Sequence, residues 1–469
     1  MDRRTFLTTS LKAAGAGLAT LSLSSIARAA GRRKPNIVYI LADDLGYGDL
    51  SCFGQSRFRT PNIDRMAAEG MRFTDHYSGS TVCAPSRCTL MTGLHTGHCH
   101  VRGNREIKPE GQAPLPKGTV TVPALLKRAG YATGAFGKWG LGSPGSTGDP
   151  VFQGFDTFYG YNCQRQAHNY YPTHLWHDRK KVPLDGKTYS HDLIVEQALS
   201  FIRANKARPF FCYMPVTIPH AAMHVPEKYV APFRRIFPQF EKTIGRYAGP
   251  QVRNPIAAFA GMVTKLDEDV GRVLALLKEL AIDEDTIVLF TSDNGPHKEG
   301  GHNPAFFRSN DGLRGIKRDV YEGGIRVPLI ARGPGRVPRG ATTPLPSAFW
   351  DFLPTACELA GAASPRGIDG ISYAPTLTGA RARQKRHEYL YWEFPSRGGK
   401  RAVRAGNWKG VQLDVKKTPN GPIEVYDLKE DPAEKRDLAG RFPGVAAQFR
   451  RFFAEAHTAS KLFPLLKEE

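Results

Sequence analysis

Short apolar runs alternate along the chain with stretches in which apolar side chains recur every three or four residues. Residues 36–42, Asn-Ile-Val-Tyr-Ile-Leu-Ala, make the first strand-like run, and it stops at Asp43-Asp44. Similar runs at 131–136, 209–216, 286–290 and 327–331 predict further strands. Thr60-Pro61 opens a short helix with a capping residue and a proline in the first turn, and Gly70 stops it. Helices are also predicted over 122–129, ended by Gly130, over 193–204, and over 256–280, where Met262, Leu266, Val270, Val273, Leu274 and Leu277 share one face. Strands and helices in this order predict an α/β fold: a large, mainly parallel sheet flanked by helices. From about residue 381 the pattern changes. The basic run Arg381-Ala-Arg-Gln-Lys-Arg386 reads as an exposed link, followed by strand-like 388–394, 402–413 and 423–428 and an amphipathic helix over 445–457. We read a main domain over 34–380 and a small C-terminal α+β subdomain over 387–469.

The first 29 residues fit neither unit. Arg3-Arg4-Thr-Phe-Leu7 precedes a weakly apolar Ala/Gly/Leu stretch and then Ala27-Arg28-Ala29, a small-x-small cleavage site. The segment reads as a twin-arginine export signal, which predicts a bacterial periplasmic or secreted protein. No later segment reaches about 18 uninterrupted apolar residues, so no stable membrane span is expected.

Composition narrows the reading in two places. With 41% hydrophobic residues and aromatics spread throughout its 469 positions, the chain can bury a large core, which excludes disorder. Lys and Arg number 65 against 44 Asp and Glu, a net +21, and the leader accounts for only +3 of it. Such an excess suits nucleic acid, an anionic surface or a polyanionic substrate, and no nucleic-acid recognition motif accompanies it. The 7 cysteines are odd in number and include no Cys-x-x-Cys pair, so a zinc site is not expected.

The unusual polar residues fall directly after predicted strands: Asp43-Asp44, Lys138, His220 and Asp293-Asn294. In a parallel sheet these positions share the carboxyl edge, where ligands bind. Three carboxylates and an amide oxygen meeting there make an all-oxygen site for Ca²⁺ or Mg²⁺; capping of the following helices is the alternative for either pair alone. A second cluster is Cys83-Ala-Pro-Ser-Arg87. Pro85 suits the first turn of a helix running to Gly93, which puts Cys83 at a helix N-terminus with Arg87 one turn in, a place that favours an anion.

Cys-x-Pro-Ser-Arg in this setting resembles the type I sulfatases of the alkaline-phosphatase superfamily. Asn36–Asp44, Gly137-Lys138-Trp139, Pro219-His220, Ser292-Asp-Asn-Gly295, Leu313-Arg-Gly-Ile-Lys317 and Tyr321-Glu-Gly-Gly-Ile-Arg-Val-Pro328 agree with it, so the resemblance spans about residues 34–437. It implies that Cys83 is oxidised to formylglycine by a formylglycine-generating enzyme. The hydrated aldehyde would attack the sulfur of a sulfate ester, and its second hydroxyl would then expel sulfate. Calcium, with magnesium the lesser candidate, would be held by Asp43, Asp44, Asp293, Asn294 and the modified Cys83. Arg87 would hold the diol, Lys138 and Lys317 would neutralise the transferring group, and His220 would protonate the leaving alcohol. The substrate implied is an aryl sulfate or, for a basic exported enzyme, a sulfated carbohydrate.

One departure stands out. Family members commonly read Gly-Lys-Trp-His-Leu-Gly, with a histidine that contacts the diol, whereas this chain has Gly137-Lys-Trp-Gly140-Leu-Gly142. His95, His98, His100 and His168 are candidates to replace it. The stretch 163–176, rich in His, Tyr and Arg, suits sugar binding through His168, and His297 and His302 are further substrate candidates. Two other readings stay open: a phosphodiester or phosphonate ester hydrolase on the same fold, and a sulfated-glycan-binding protein whose site has lost catalysis.

Overall fold

Seven consecutive buried residues, Asn36–Ala42, form strand β1 at the centre of a ten-stranded sheet. The computed structural model describes residues 33–469, so the expected leader at 1–29 lies outside the described residues. The sheet continues with β2 (Met71–Phe73), β3 (Ala132–Lys138), β4 (Thr157–Tyr161), β5 (His174–His177) and β6 (Lys180–Pro183). It is completed by β7 (Phe210–Pro215), β8 (Thr286–Ser292), β9 (Leu329–Arg332) and β10 (Ala341–Thr343). Their spatial order is β10-β2-β9-β8-β1-β7-β3-β4-β5-β6. The five central strands β8-β1-β7-β3-β4 run parallel; the apolar runs predict four of them, and β4 is an addition. The flanks are mixed, with β9 antiparallel to both its neighbours and β5 antiparallel to β4 and β6. Several of these flanking strands are three or four residues long, too short to leave a period in the sequence.

Successive side chains of a strand point to opposite faces, so a sheet covered on both sides needs apolar residues without interruption. Val38 and Ile40 enter one layer with helices α1 (Pro61–Ala68), α4 (Ser190–Asn205) and α5 (Pro255–Glu279). Ile37, Tyr39 and Leu41 enter the other with α2 (Cys83–Thr92), α3 (Val122–Arg128) and α6 (Phe352–Ala360). Helix starts follow local chemistry. The Asn254 side chain accepts from Ala257 N at 3.0 Å and Pro255 supplies the first residue of α5. Thr60 precedes α1 as expected but does not cap it: its hydroxyl accepts from Ser51 N at 3.0 Å and donates to Asp64 at 3.1 Å.

Strands β11 (Leu390–Phe394), β12 (Lys400–Ala405), β13 (Trp408–Gln412) and β14 (Glu424–Asp427) form a separate antiparallel sheet, backed by α7 (Pro443–Glu455). The run 402–413, read as one strand, is two: the chain turns at Gly406, whose φ of +59° favours glycine. Leu390, Trp392, Ala402 and Val411 pack on Tyr77, Ile325 and Trp350 of the main domain, while Tyr391, Val403 and Val425 pack on Phe449, Phe452 and Phe453 of α7.

The junction also buries charge. Lys409 donates to Glu322 at 2.9 Å and lies 3.0 Å from Glu434, and all three side chains are fully buried. Burial and the like charge of Glu322 push Glu434 up to about 7 although Lys409 opposes them. A carboxyl whose pKa is raised in the folded protein costs stability as pH rises from its ordinary value of 4.5 toward about 7. Lys409→Met leaves Glu434 without its cation and Glu322 with Arg326 alone, at 3.5 Å, and should destabilise the protein by about 3–5 kcal/mol at pH 8. The deficit should shrink as pH falls toward 5, where one carboxyl takes up a proton. Denaturant unfolding of both proteins across that range checks the size and the sign.

Candidate active site

Four adjacent parallel strands, β8, β1, β7 and β3, end at one edge of the sheet and deliver the polar residues singled out above. Ala42 pairs with Ser292, so Asp43 and Asp293 leave neighbouring strands side by side, and Asp293 N donates to Ala42 O at 3.1 Å. Asp44 turns back with φ of +62°, and its amide donates to Asp293 Oδ1 at 3.1 Å. Lys138 is the last residue of β3, and His220 follows β7. Gly137 before it has φ of +139°, and a Cβ there would lie 2.0 Å from Pro215 O, so close packing of β3 on β7 requires glycine. Helix α2 supplies Cys83 as its first residue and Arg87 one turn later, with Gly93 ending it at φ of +72°.

Asp43, Asp44, Arg87, Asp293 and Asn294 are all 0% exposed, so their charges are settled by one another rather than by water. Arg87 Nη2 donates to Asp293 Oδ2 at 2.8 Å and to Asp43 Oδ2 at 3.1 Å, and Nη1 donates to the Lys138 carbonyl. Lys138 Nζ lies 2.7 Å from Asp43 Oδ2, and Lys317 Nζ lies 2.7 Å from Asp44 Oδ2. Burial works against the charge on Asp43, but Lys138 and its other basic neighbours outweigh it and hold the carboxyl well below the usual range. Asp293 is pushed up to about 6 by burial and by the like charge of Asp43. Burial would also strip the lysines of their protons. The carboxylates beside them outweigh it, and both ammonium groups are held above the ordinary lysine range.

Three buried carboxylates thus face three fixed cations, and the set is electrically balanced. Two acceptor oxygens remain without a hydrogen bond, Asp43 Oδ1 and Asn294 Oδ1, while the Asn294 NH₂ donates to Asp44 Oδ1 at 2.7 Å and to Gly295 O at 2.9 Å. A buried acceptor without a donor is costly, and a hard divalent cation satisfies it. Donor atoms of Asp43, Cys83 and Asp293 lie within 4.8 Å of one another, as do those of Asp43, Asp44 and His220. The residues present fit Ca²⁺ or Mg²⁺.

Cys83 is 1% exposed, and burial pushes its thiol pKa up, so the folded protein does not offer a reactive thiolate. Its sulfur lies 3.5 Å from Lys138 Nζ, 3.6 Å from Gln164 Oε1 and 3.9 Å from Asn104 Nδ2. Asn104 also accepts from Ala84 N at 3.2 Å, at the first turn of α2. His220 is held neutral by burial and by the Lys317 charge. Lys317 Nζ is 3.0 Å from its Nε2, and its Nδ1 faces the Ala221 carbonyl, which sets the tautomer.

The remaining histidines divide by environment. His168 is half-buried, stacks on His220 with centroids 4.7 Å apart and planes 4° from parallel, and is driven down to about 2 by burial and its cationic neighbours. His297 is fully buried behind His220 and accepts from Glu299 N at 3.1 Å, while its Nε2 faces the Pro219 carbonyl at 3.3 Å. His302 packs face to face on Phe259 at 3.8 Å. His95 and His98 are committed to Asp369, at 3.6 and 2.9 Å, and His100 is exposed.

Sequence reasoning missed Gln164, Asn104 and Tyr247. Tyr247 is 43% exposed with its ring 5.1 Å from His168. No motif marks Asn104 or Tyr247. Gln164 stands in the stretch picked out for sugar binding, where attention fell on its histidine.

The Sulfatase family model matches residues 35–362, and the model for the N-sulphoglucosamine sulphohydrolase C-terminal region matches 315–449. The chain is 34% identical over 392 residues to N-acetylgalactosamine-6-sulfatase of Canis lupus familiaris, covering 77% of this chain and 69% of that protein. It is 31% identical over 459 residues to arylsulfatase A of Homo sapiens, covering 92% and 88%. Among solved structures, Ps i-CgsB in complex with k-i-k-neocarrahexaose superposes with a TM-score of 0.76 at 27% identity, covering 90% of this chain and 92% of that one.

Arg87→Met would leave Asp43 and Asp293 facing each other without their shared cation. It should lower stability by about 3–5 kcal/mol in chelator-treated protein, and added calcium should recover part of the loss by supplying positive charge at the same place. Thermal unfolding with and without calcium measures both effects; a loss that calcium leaves untouched would contradict the proximity of the cation site to Arg87.

Proposed function

The chain belongs to the sulfatase family and is a sulfuric ester hydrolase; from that premise we propose that it releases sulfate from sulfated carbohydrate, using formylglycine made from Cys83 and a bound calcium ion. The observation that carries this reading is Cys83 itself: a buried residue with a high thiol pKa, held at a helix start among Lys138, Asn104 and Gln164 and beside the carboxylate cluster. Its Sγ stands in for a hydroxyl of the hydrated aldehyde, and both donors and an acceptor are in place around that atom. Hydrated formylglycine would supply a hydroxyl nucleophile and a second hydroxyl whose deprotonation expels sulfate. Calcium would be held by Asp43, Asp44, Asp293, Asn294 and the modified Cys83, lowering the diol pKa and screening sulfate oxygens.

The protein's own groups divide the remaining work. Arg87 holds Asp43 and Asp293 at fixed separation, and its charge lowers the cost of ionising a hydroxyl at position 83. Lys138 bridges Asp43 and position 83, so it meets the incoming sulfuryl group without reorganising. Lys317 Nζ keeps its proton and donates to Nε2 of the neutral His220. Because His220 is neutral at rest, the proton it passes to the leaving-group oxygen is drawn through Lys317. The net +18 outside the leader would steer an anionic substrate toward this edge. A carbohydrate substrate accords with the basic chain, with a relative named N-acetylgalactosamine-6-sulfatase and with a structural neighbour solved in complex with k-i-k-neocarrahexaose. The leader adds a proposal of export by the twin-arginine route. Since Cys83 is buried in the folded protein, its conversion would precede folding and hence export.

Phosphodiester or phosphonate hydrolysis is the competing enzymatic reading. Initial rates on an aryl sulfate and the matching aryl phosphodiester, with calcium present, separate the two: we expect the sulfate to be preferred by at least about 100-fold in kcat/KM. A phosphodiester preference would overturn the sulfatase assignment of substrate.

A further inference from the structure

The site contains a polar group whose NH₂ the proposed mechanism leaves idle. Gln164, on the loop after β4, is 4% exposed, and its Oε1 is 3.6 Å from Cys83 Sγ. Its Nε2 is buried and has no hydrogen-bond partner. A buried NH₂ without an acceptor is costly, so a group that keeps one beside the nucleophile is poised for a ligand that supplies the acceptor. The other atoms around Sγ, Lys138 Nζ and Asn104 Nδ2, are donors only. A hydroxyl in place of Sγ would accept from those two and direct its own hydrogen to Gln164 Oε1.

Gly140 explains how the glutamine reaches this position. Its φ is +79°, and a Cβ built there would come within 3.1 Å of Gln164 Nε2 and 3.4 Å of its Cγ. Any side chain at 140 would therefore press on the glutamine amide. Glycine at 140, the departure noted in the sequence, and glutamine at 164 form one packing unit, and the space a side chain at 140 would enter is held by the Gln164 amide.

We propose that Gln164 positions the nucleophile at residue 83 through Oε1 and binds a sulfuryl oxygen of the substrate through Nε2. This rests on the formylglycine sulfatase reading above. A neutral amide can orient the hydroxyl and bind the anion, but it cannot accept the proton, so Gln164 is an anion-binding and positioning residue rather than a base.

The test compares wild type with Gln164→Met, which keeps the length and removes both hydrogen-bonding atoms, and Gln164→Glu, which keeps an acceptor but replaces the donor with negative charge. Three quantities are read: kcat and KM on an aryl sulfate, the dissociation constant of inorganic sulfate by calorimetry, and the converted fraction of Cys83 by peptide mass. Gln164→Met should lower kcat and weaken sulfate binding by about 10–100-fold each. Gln164→Glu should weaken sulfate binding at least as much, and conversion of Cys83 should be unchanged in both. Glutamate is nearly isosteric, so a loss of sulfate binding in a variant that melts like wild type reports the donor exchanged for negative charge rather than altered packing, and the neutral Gln164→Met isolates the donor's loss. A Gln164→Met enzyme within twofold of wild type in both kcat and sulfate affinity overturns the proposal while leaving the sulfatase reading intact. A fully converted wild type that hydrolyses no sulfate ester, with sulfate binding still lost in Gln164→Met, would instead overturn that reading and support the role of Gln164 in anion binding.

Discussion

The structure turns on one arrangement: Arg87 wedged, without solvent, between Asp43 and Asp293. Each carboxylate is the first residue after a central strand, and the two strands are held in register by the pairing of Ala42 with Ser292. Like charges so placed cannot both stay ionised in a dry site unless a cation sits between them. Arg87 supplies it, and Lys138 and Lys317 extend the balance to Asp43 and Asp44. The position of α2 is therefore tied to the sheet edge by charge as well as by packing. Because Cys83 is one turn before Arg87 on the same helix, the ion pairing also fixes where the Cys83 side chain sits.

The same balance bears on chemistry. With three carboxylates and three cations the cluster is neutral, and two acceptor oxygens still lack partners. A divalent cation makes the site net positive, the condition for drawing a sulfate ester out of water. The basic surface acts at longer range and is screened by salt, whereas the cluster acts at contact and is not.

Much of this was legible in the chain. Asp43-Asp44 and Asp293-Asn294 stand out because both follow unbroken apolar runs, where capping would explain either pair alone but not the two together, and the parallel core follows from those runs. Cys83, Pro85 and Arg87 announce a helix start, and α2 begins at Cys83 as the proline predicts. Of the flanking strands only β9 was legible, from the apolar run 327–331; the others were not, because three or four residues cannot display a period. The fused strand over 402–413 was misread because one glycine at positive φ breaks it without interrupting the apolar pattern. His95 and His98 illustrate a different limit. Their nearness to Asp369 depends on a contact about 270 residues distant in sequence, and nothing in the local spacing signals it. Gln164 was passed over for a similar reason: an amide gains meaning only when its neighbours, here Gly140 and Cys83, are known.

The central claim is that residue 83 does its chemistry as an aldehyde hydrate and not as a thiol. The most direct measurement is the mass of the peptide containing Cys83 in protein from its native host, set against the sulfatase rate of the same preparation. The account predicts a peptide about 18 Da lighter than the cysteine form, with activity across preparations proportional to the converted fraction. Full activity in protein whose Cys83 is quantitatively an intact thiol would contradict it.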